Sequence, residues 1–131
     1  MFALSAVAAS PAGAATGANF IATGHDLDWH CNYGDANECA YLKLAVDKVR
    51  NGSSLPVLSI DDGSALLNSA LAKAGVTPVT AVNPSSASSF NATAFTSAGG
   101  APLYSAIVVA SSSNVADITP SDSATINARA A

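Results

Sequence analysis

The sequence has 131 residues, which is enough for one domain but not for two. It is 50% hydrophobic and 11% charged, with a formal net charge of −4. Only five basic residues are present and they are scattered, so the chain cannot form the basic stripe that binds phosphates, and we expect no nucleic-acid partner.

The first 15 residues have the character of an export signal or leader. Residues 1–9 are apolar, and Pro11 precedes a run of small residues, 12–15, that contains an A-x-A cleavage pattern. No Lys or Arg precedes the apolar run, so either the true start lies upstream or the segment is an alanine-rich leader. The run is too short to span a membrane. We therefore expect a secreted or cell-surface protein in which residues 16–131 form the N-terminal part of one α/β domain.

Short apolar runs alternate with helical patterns along the chain. Strands are predicted at Asn19–Thr23, Pro56–Ile60, Thr77–Val82 and Ser105–Ala110. Helices are predicted at Glu38–Asn51, at Ser64–Ala74, more weakly within Ser85–Ala98, and from Thr119 onward. This alternation predicts an α/β fold with three layers, Rossmann-like or flavodoxin-like, around a mostly parallel sheet of at least four strands.

The last predicted helix has Thr119 as its N-cap and Pro120 at its first position, and it runs to Ala131 without a C-cap. Natural domains seldom finish in the middle of a helix. We therefore expect a sheet that is truncated at the C-terminus, with the rest of a longer chain as its partner. A genuine terminal helix is the alternative.

Two cysteines, Cys31 and Cys39, stand eight residues apart. In an exported chain they predict a disulfide bond. Free thiols or metal ligands are the alternatives.

Polar side chains gather in the loops predicted at the carboxyl ends of the strands, which is where parallel sheets bind ligands. Six of the nine acidic residues lie in these loops, and the loop Gly24–Asn37 also holds both histidines and the only tryptophan. Helix capping explains some of the acids but not the aromatic and imidazole groups. The candidate site residues are His25, Asp26, Asp28, Trp29, His30, Asp61, Asp62 and Asn114.

Three of these residues, His25, Asp28 and His30, could hold a divalent metal ion. The H-x-x-D spacing after a strand resembles the zinc deacetylases of the PIG-L/LmbE type, whose first strand ends in a His-Pro-Asp-Asp stretch. The resemblance implies zinc ligands at His25 and Asp28. It places the catalytic base at Leu27, which cannot accept a proton.

A broader likeness concerns the layout of residues 19–131. A strand leading into Gly24-His25 and followed by βα units resembles the class I glutamine-amidotransferase-like fold, including its ThuA-like branch. That family's nucleophile lies in a Gly-x-Cys-x-Gly elbow, and neither cysteine here has such flanks. The likeness therefore implies the fold without the amidotransferase activity.

Common enzyme motifs are missing: the sequence has no G-x-G-x-x-G, no P-loop and no G-x-S-x-G elbow. The leading hypothesis is a binding or accessory module of a larger extracellular protein, with no catalytic residue assigned. The alternative is a metal-dependent, deacetylase-like hydrolase that uses His25, Asp28 and His30. A purely structural segment of a surface protein is the third hypothesis.

Overall fold

The fold was obtained as a computed structural model, which describes residues 21, 26–61, 66–84, 90, 93–110 and 124. Within these ranges the elements are, in chain order, α1 (Leu27–Asn32), α2 (Ala36–Arg50), β1 (Val57–Ile60), α3 (Leu66–Lys73), β2 (Val79–Val82) and β3 (Ala106–Val109). Ile21, the single described residue of the predicted first strand, is exposed and belongs to no strand. Of the predicted C-terminal helix, only Ala124 is described, and it is helical.

The three strands form one parallel sheet in the order β2-β1-β3. Val57 at the start of β1 is in register with Val79 of β2 and Ala106 of β3. The prediction of an α/β fold with parallel strands is therefore confirmed for these three strands. Both edges of β1 are occupied, so a further strand of this sheet could join only beside β2 or β3.

Strand β1 lies at the centre of the hydrophobic core. All four of its residues are buried, on both faces of the sheet, as its unbroken apolar character predicts. Helices α2 and α3 contact each other and pack on the sheet, α2 against β3 and α3 against β2, while α1 packs against these two helices. In the connection from β2 to β3, Phe90 is fully buried and packs edge to face against Phe95.

Helix α2 has the boundaries that its terminal residues require. The Asp35 carboxylate accepts hydrogen bonds from the backbone N–H groups of Asn37 and Glu38, at 2.9 and 3.2 Å, so the helix begins two residues before the predicted start at Glu38. At the other end, Asn51 adopts the left-handed conformation, with φ 49° and ψ 44°, and stops the helix. The predicted stop is thus confirmed.

Within Ser85–Ala98, Phe90 is helical as predicted, but the predicted helix is wrong for residues 93–98. Residues 93–98 are not helical; instead Thr96 forms an isolated antiparallel bridge with Pro102. A tight turn brings these two together, because Gly100 takes a positive φ of 79° and the Ala101 N–H donates to the Ser97 hydroxyl. Throughout the described residues, no helix has the length and apolar character that a membrane crossing needs.

Candidate functional site

The segment between the predicted first strand and α2 contains a short helix, α1, where the sequence predicts a loop. Leu27, Asp28 and Cys31 are buried on its inner side, which contacts α2 and α3. Six residues are too few to be stable as an isolated helix, so these contacts are what keep the segment helical. The interpretation of 24–37 as one loop is therefore corrected for residues 27–32.

Helix α1 is fastened to both neighbouring helices. The predicted disulfide is confirmed: Cys31 of α1 is bonded to Cys39 of α2. On the other side, the Ser69 hydroxyl of α3 donates to the Asn32 side-chain oxygen at 2.6 Å, and the Lys73 ammonium group donates to the Asn32 carbonyl. Helix α1 is thus linked to its neighbours by one disulfide and two hydrogen bonds.

Four residues, Asp26, Trp29, His30 and Tyr33, form the side of α1 that faces solvent, and we call them the outer α1 surface. They are spaced three, four and seven residues from Asp26, which puts them on one helical stripe. Asp26 and Trp29 are half-buried and His30 is exposed. Tyr33 is 67% exposed, and its ring centroid lies 4.4 Å from that of Trp29.

The Asp26 carboxylate stands at the N-terminal end of this surface. Asp26 is the N-cap residue of α1, yet its side chain makes no capping hydrogen bond to the helix. The backbone carbonyl of Asp26 accepts a hydrogen bond from the His30 N–H at 3.0 Å, and this bond connects Asp26 to the first turn of α1. The sequence placed Asp26, Trp29 and His30 in one candidate site, and in the structure Asp26 is the N-cap of α1 while Trp29 and His30 lie within the helix.

The metal ligands predicted in this segment are only partly described. Asp28 and His30 are two residues apart on α1, and residues at this spacing leave a helix on opposite sides. Asp28 is 4% exposed on the inner side, whereas His30 faces solvent. His25 lies outside the described residues, which themselves contain no group of three His, Cys, Asp or Glu residues that could hold a metal ion. The metal site stays a prediction.

Asp61 lies directly after β1, at the carboxyl edge of the sheet. From β1 the chain passes to β2 on one side of β1 and then returns to form β3 on the other side of β1. The order of the strands therefore reverses between β1 and β3, and parallel sheets bind ligands at such a switch point. The Asp61 side chain is 2% exposed, and one of its oxygens accepts the Leu67 N–H of α3 at 3.0 Å. Asp61 therefore links β1 to α3. Asp62 and Asn114, the other predicted residues of this edge, lie outside the described residues.

Tyr33 is the residue of the outer α1 surface that sequence reasoning missed. It belongs to the predicted loop but was not assigned to the candidate site. Its spacing of four residues from Trp29 is the signal that could have found it, because residues at this spacing meet on a helix.

Comparison with models of protein families, with curated proteins and with solved structures found no significant match. The resemblances to zinc deacetylases and to the amidotransferase-like fold therefore stay predictions.

Proposed function

We propose that this chain is a binding module, and that it recognises its partner through the outer α1 surface. The observation that carries this proposal is the aromatic pair Trp29–Tyr33, presented to solvent on a helix that is fixed to its neighbours. Tyrosine and tryptophan are enriched in protein interfaces, because each offers a large contact area together with one polar group.

The fastening of α1 supports this function. A binding group that is already held in place loses little conformational entropy when the partner arrives. The disulfide Cys31–Cys39 and the hydrogen bonds to Asn32 attach the helix that carries the two rings to α2 and α3. Such support from a surrounding shell of contacts is what a recognition site needs.

We propose that this module is secreted or lies at the cell surface, outside the cytoplasm. The disulfide bond and the apolar leader with its A-x-A pattern support this location. We further propose that the sheet has at least one strand beyond β2, β1 and β3, as in Rossmann-like folds.

Trp29 is the single tryptophan of the chain, so tryptophan fluorescence reports on the outer α1 surface alone. The test titrates the protein with tetralysine, with tetraglutamate and with chitotriose while Trp29 emission is recorded. We expect a saturable change with one of these probes, and a loss of affinity of about tenfold or more in Tyr33→Ala, in line with the loss of an interface aromatic.

Tyr41→Ala is the matched control, because Tyr41 is also exposed, at 49%, but lies on α2 and outside the outer α1 surface. This variant should bind like the unaltered protein. If none of the three probes binds, or if Tyr33→Ala and Tyr41→Ala bind equally well, the proposed function is wrong.

A further inference from the structure

We infer that two copies of this chain form a symmetric dimer through the outer edge of β2. The two β2 strands pair antiparallel, so the sheets of both copies join into one. This surface is separate from the outer α1 surface, and the inference does not depend on the proposed function. Three features carry it: the edge of β2, the groove beside that edge, and a buried amide group in the groove.

The edge of β2 has backbone groups that are ready to pair. The Pro78 and Val82 carbonyls accept hydrogen bonds from β1, and alternate residues of a strand direct their backbone groups to opposite sides. The N–H and C=O groups of Val79 and Ala81 therefore point away from β1. Among the described residues no strand lies on that side. Strand β2 contains no charge and no proline, which are the residues that keep sheet edges from pairing.

A groove of about 530 Å³ runs beside this edge, between α3 and β2. Its lining includes Asn68, Ala72 and Gly75 from α3 and its C-terminal end, together with Val79 and Ala81 from β2. Ala72, Gly75 and Ala81 are exposed although they are apolar or small. The described lining contains no charged side chain. The net charge of −4 therefore acts only from a distance, where salt at physiological concentration screens it beyond about 8 Å.

The positions of the outward residues fit a two-fold axis at Thr80. This register pairs Val79 with Ala81 of the second copy, and Ala81 with Val79 of the second copy. Each of these pairs exchanges two backbone hydrogen bonds, so every outward group of both residues is satisfied. Thr80 then lies opposite its own counterpart. The axis is perpendicular to the sheet, so the α3 helices of both copies lie on the same face, each beside the groove of the other.

Asn68 favours a second copy over an unrelated peptide. Its Oδ1 atom is buried and has no hydrogen-bond partner among the described residues. A side-chain amide has both a donor and an acceptor, so two Asn68 side chains related by a two-fold axis can bond to each other once the amides turn towards the groove. Paired asparagines also fix the alignment of identical helices in coiled coils. The second copy thus supplies a strand beside β2, and β3 keeps the free edge.

The first test is a cysteine cross-link at the axis. Thr80→Cys should form a covalent dimer on mild oxidation, because facing residues of this kind have Cα atoms about 4.5 Å apart, within the range of disulfides. Thr77→Cys is the matched control, since Thr77 is also exposed but would lie about 20 Å from its counterpart. It should cross-link at least about tenfold less. Equal amounts of dimer on non-reducing gels would overturn the inference.

The second test measures association of the protein by sedimentation equilibrium. The edge is only four residues long, so we expect a weak dimer with a Kd of about 10–100 μM. Asn68→Asp would place two carboxylates across the axis and should raise the Kd at least about tenfold. Asn37→Asp makes the same change at an exposed site on α2 and should alter the Kd less than about twofold.

Each outcome decides for or against the dimer. If the unaltered protein stays monomeric up to about 1 mM, well above the expected Kd, the edge of β2 is not a dimer interface and the inference is wrong. A dimer that Asn68→Asp and Asn37→Asp weaken equally would lie on another surface. Circular dichroism checks that each variant keeps the fold, and sedimentation of the unaltered protein decides the question even if one variant does not.

Discussion

At the scale of single residues, Asp61 is the clearest case of a polar group that holds the fold together. Its buried carboxylate accepts a hydrogen bond from the Leu67 N–H. This N–H lies in the first turn of α3, where backbone donors have no acceptor within the helix. We expect Asp61→Ala to lower the free energy of unfolding by about 1–3 kcal/mol, because the donor then loses its acceptor. Asp61→Asn retains an acceptor oxygen and should lower it less. Urea denaturation followed by circular dichroism measures both changes.

An exposed aspartate provides the control for this prediction. Asp47 forms an ion pair with Lys43 on the surface of α2, and both side chains are nearly half exposed. Asp47→Ala should therefore change the free energy of unfolding by less than about 1 kcal/mol. If Asp61→Ala behaves like Asp47→Ala, the link between β1 and α3 is not a source of stability.

Ser59 shows the opposite situation in the centre of β1. It is fully buried, and its hydroxyl has no hydrogen-bond partner among the described residues. Ser59→Ala removes this unpaired hydroxyl and leaves the strand otherwise unchanged, so it should raise the free energy of unfolding by about 1 kcal/mol. Urea midpoints of the two proteins decide the question, and a clearly lower midpoint in Ser59→Ala would mean that the hydroxyl has a partner.

The sequence identifies polar residues well but says little about where their side chains point. It singled out Asp26, Trp29 and His30, and these share the outer α1 surface. It also grouped Asp28 with His30, although one is buried and the other exposed. The direction of each side chain depends on whether the segment is a loop or a helix, and that decision rests on contacts with α2 and α3.

At the scale of elements, the disulfide between α1 and α2 is the covalent link that joins the proposed binding surface to the rest of the fold. Its two cysteines are eight residues apart, and closing a loop of this size stabilises a protein by about 2–3 kcal/mol. We expect the double variant Cys31→Ala, Cys39→Ala to lose this amount, as measured by urea denaturation. Reductant should lower the stability of the unaltered protein by a similar amount and leave the double variant unchanged. Reductant acting equally on both would contradict the prediction.

Helix α2 offers two leucines on opposite faces for a matched comparison. Leu42 is 5% exposed and packs in the core, whereas Leu44 is 68% exposed. Leu42→Ala should lower the free energy of unfolding by about 2–4 kcal/mol, because it leaves a cavity. Leu44→Ala should change it by less than about 0.5 kcal/mol, as surface substitutions do. Similar losses in thermal melts of the two variants would show that the exposed face of α2 is covered in solution.

Elements with a strong local signal could be predicted from the sequence, and those that depend on tertiary contacts could not. The apolar run Pro56–Ile60 predicts a buried strand, and β1 forms at Val57–Ile60. The stripe of apolar residues in Glu38–Asn51 predicts α2. By contrast, the six residues of α1 span fewer than two turns, which is too short a stretch for a helical period to show.

At the scale of the whole molecule, alternating strands and helices predict parallel pairing but not the order of the strands. Strand order depends on which face of the sheet each connecting helix covers, and no local sequence pattern encodes this choice. In the described sheet β1 lies between β2 and β3, so the chain changes its winding direction after β2. The switch point therefore falls next to Asp61.

The strand order leads to a prediction about local stability. Each amide of β1 has a neighbouring strand on the side to which it points, whereas every second amide of β2 and β3 points away from β1. The side chains of β1 are also fully buried, while Ile107 and Val109 of β3 remain about half exposed.

Amides with buried surroundings and paired neighbours open only when the whole domain unfolds. Hydrogen exchange followed by NMR should therefore be slowest in β1, and it should be faster by at least about tenfold at the outward amides of the edge strand, β2 or β3, that the proposed further strand leaves free, which corresponds to a difference in opening free energy of about 1.4 kcal/mol. Protection equal to that of β1 at the outward amides of both β2 and β3 would contradict the expectation of a free edge, and the β2-β1-β3 order would then describe the interior of a wider sheet.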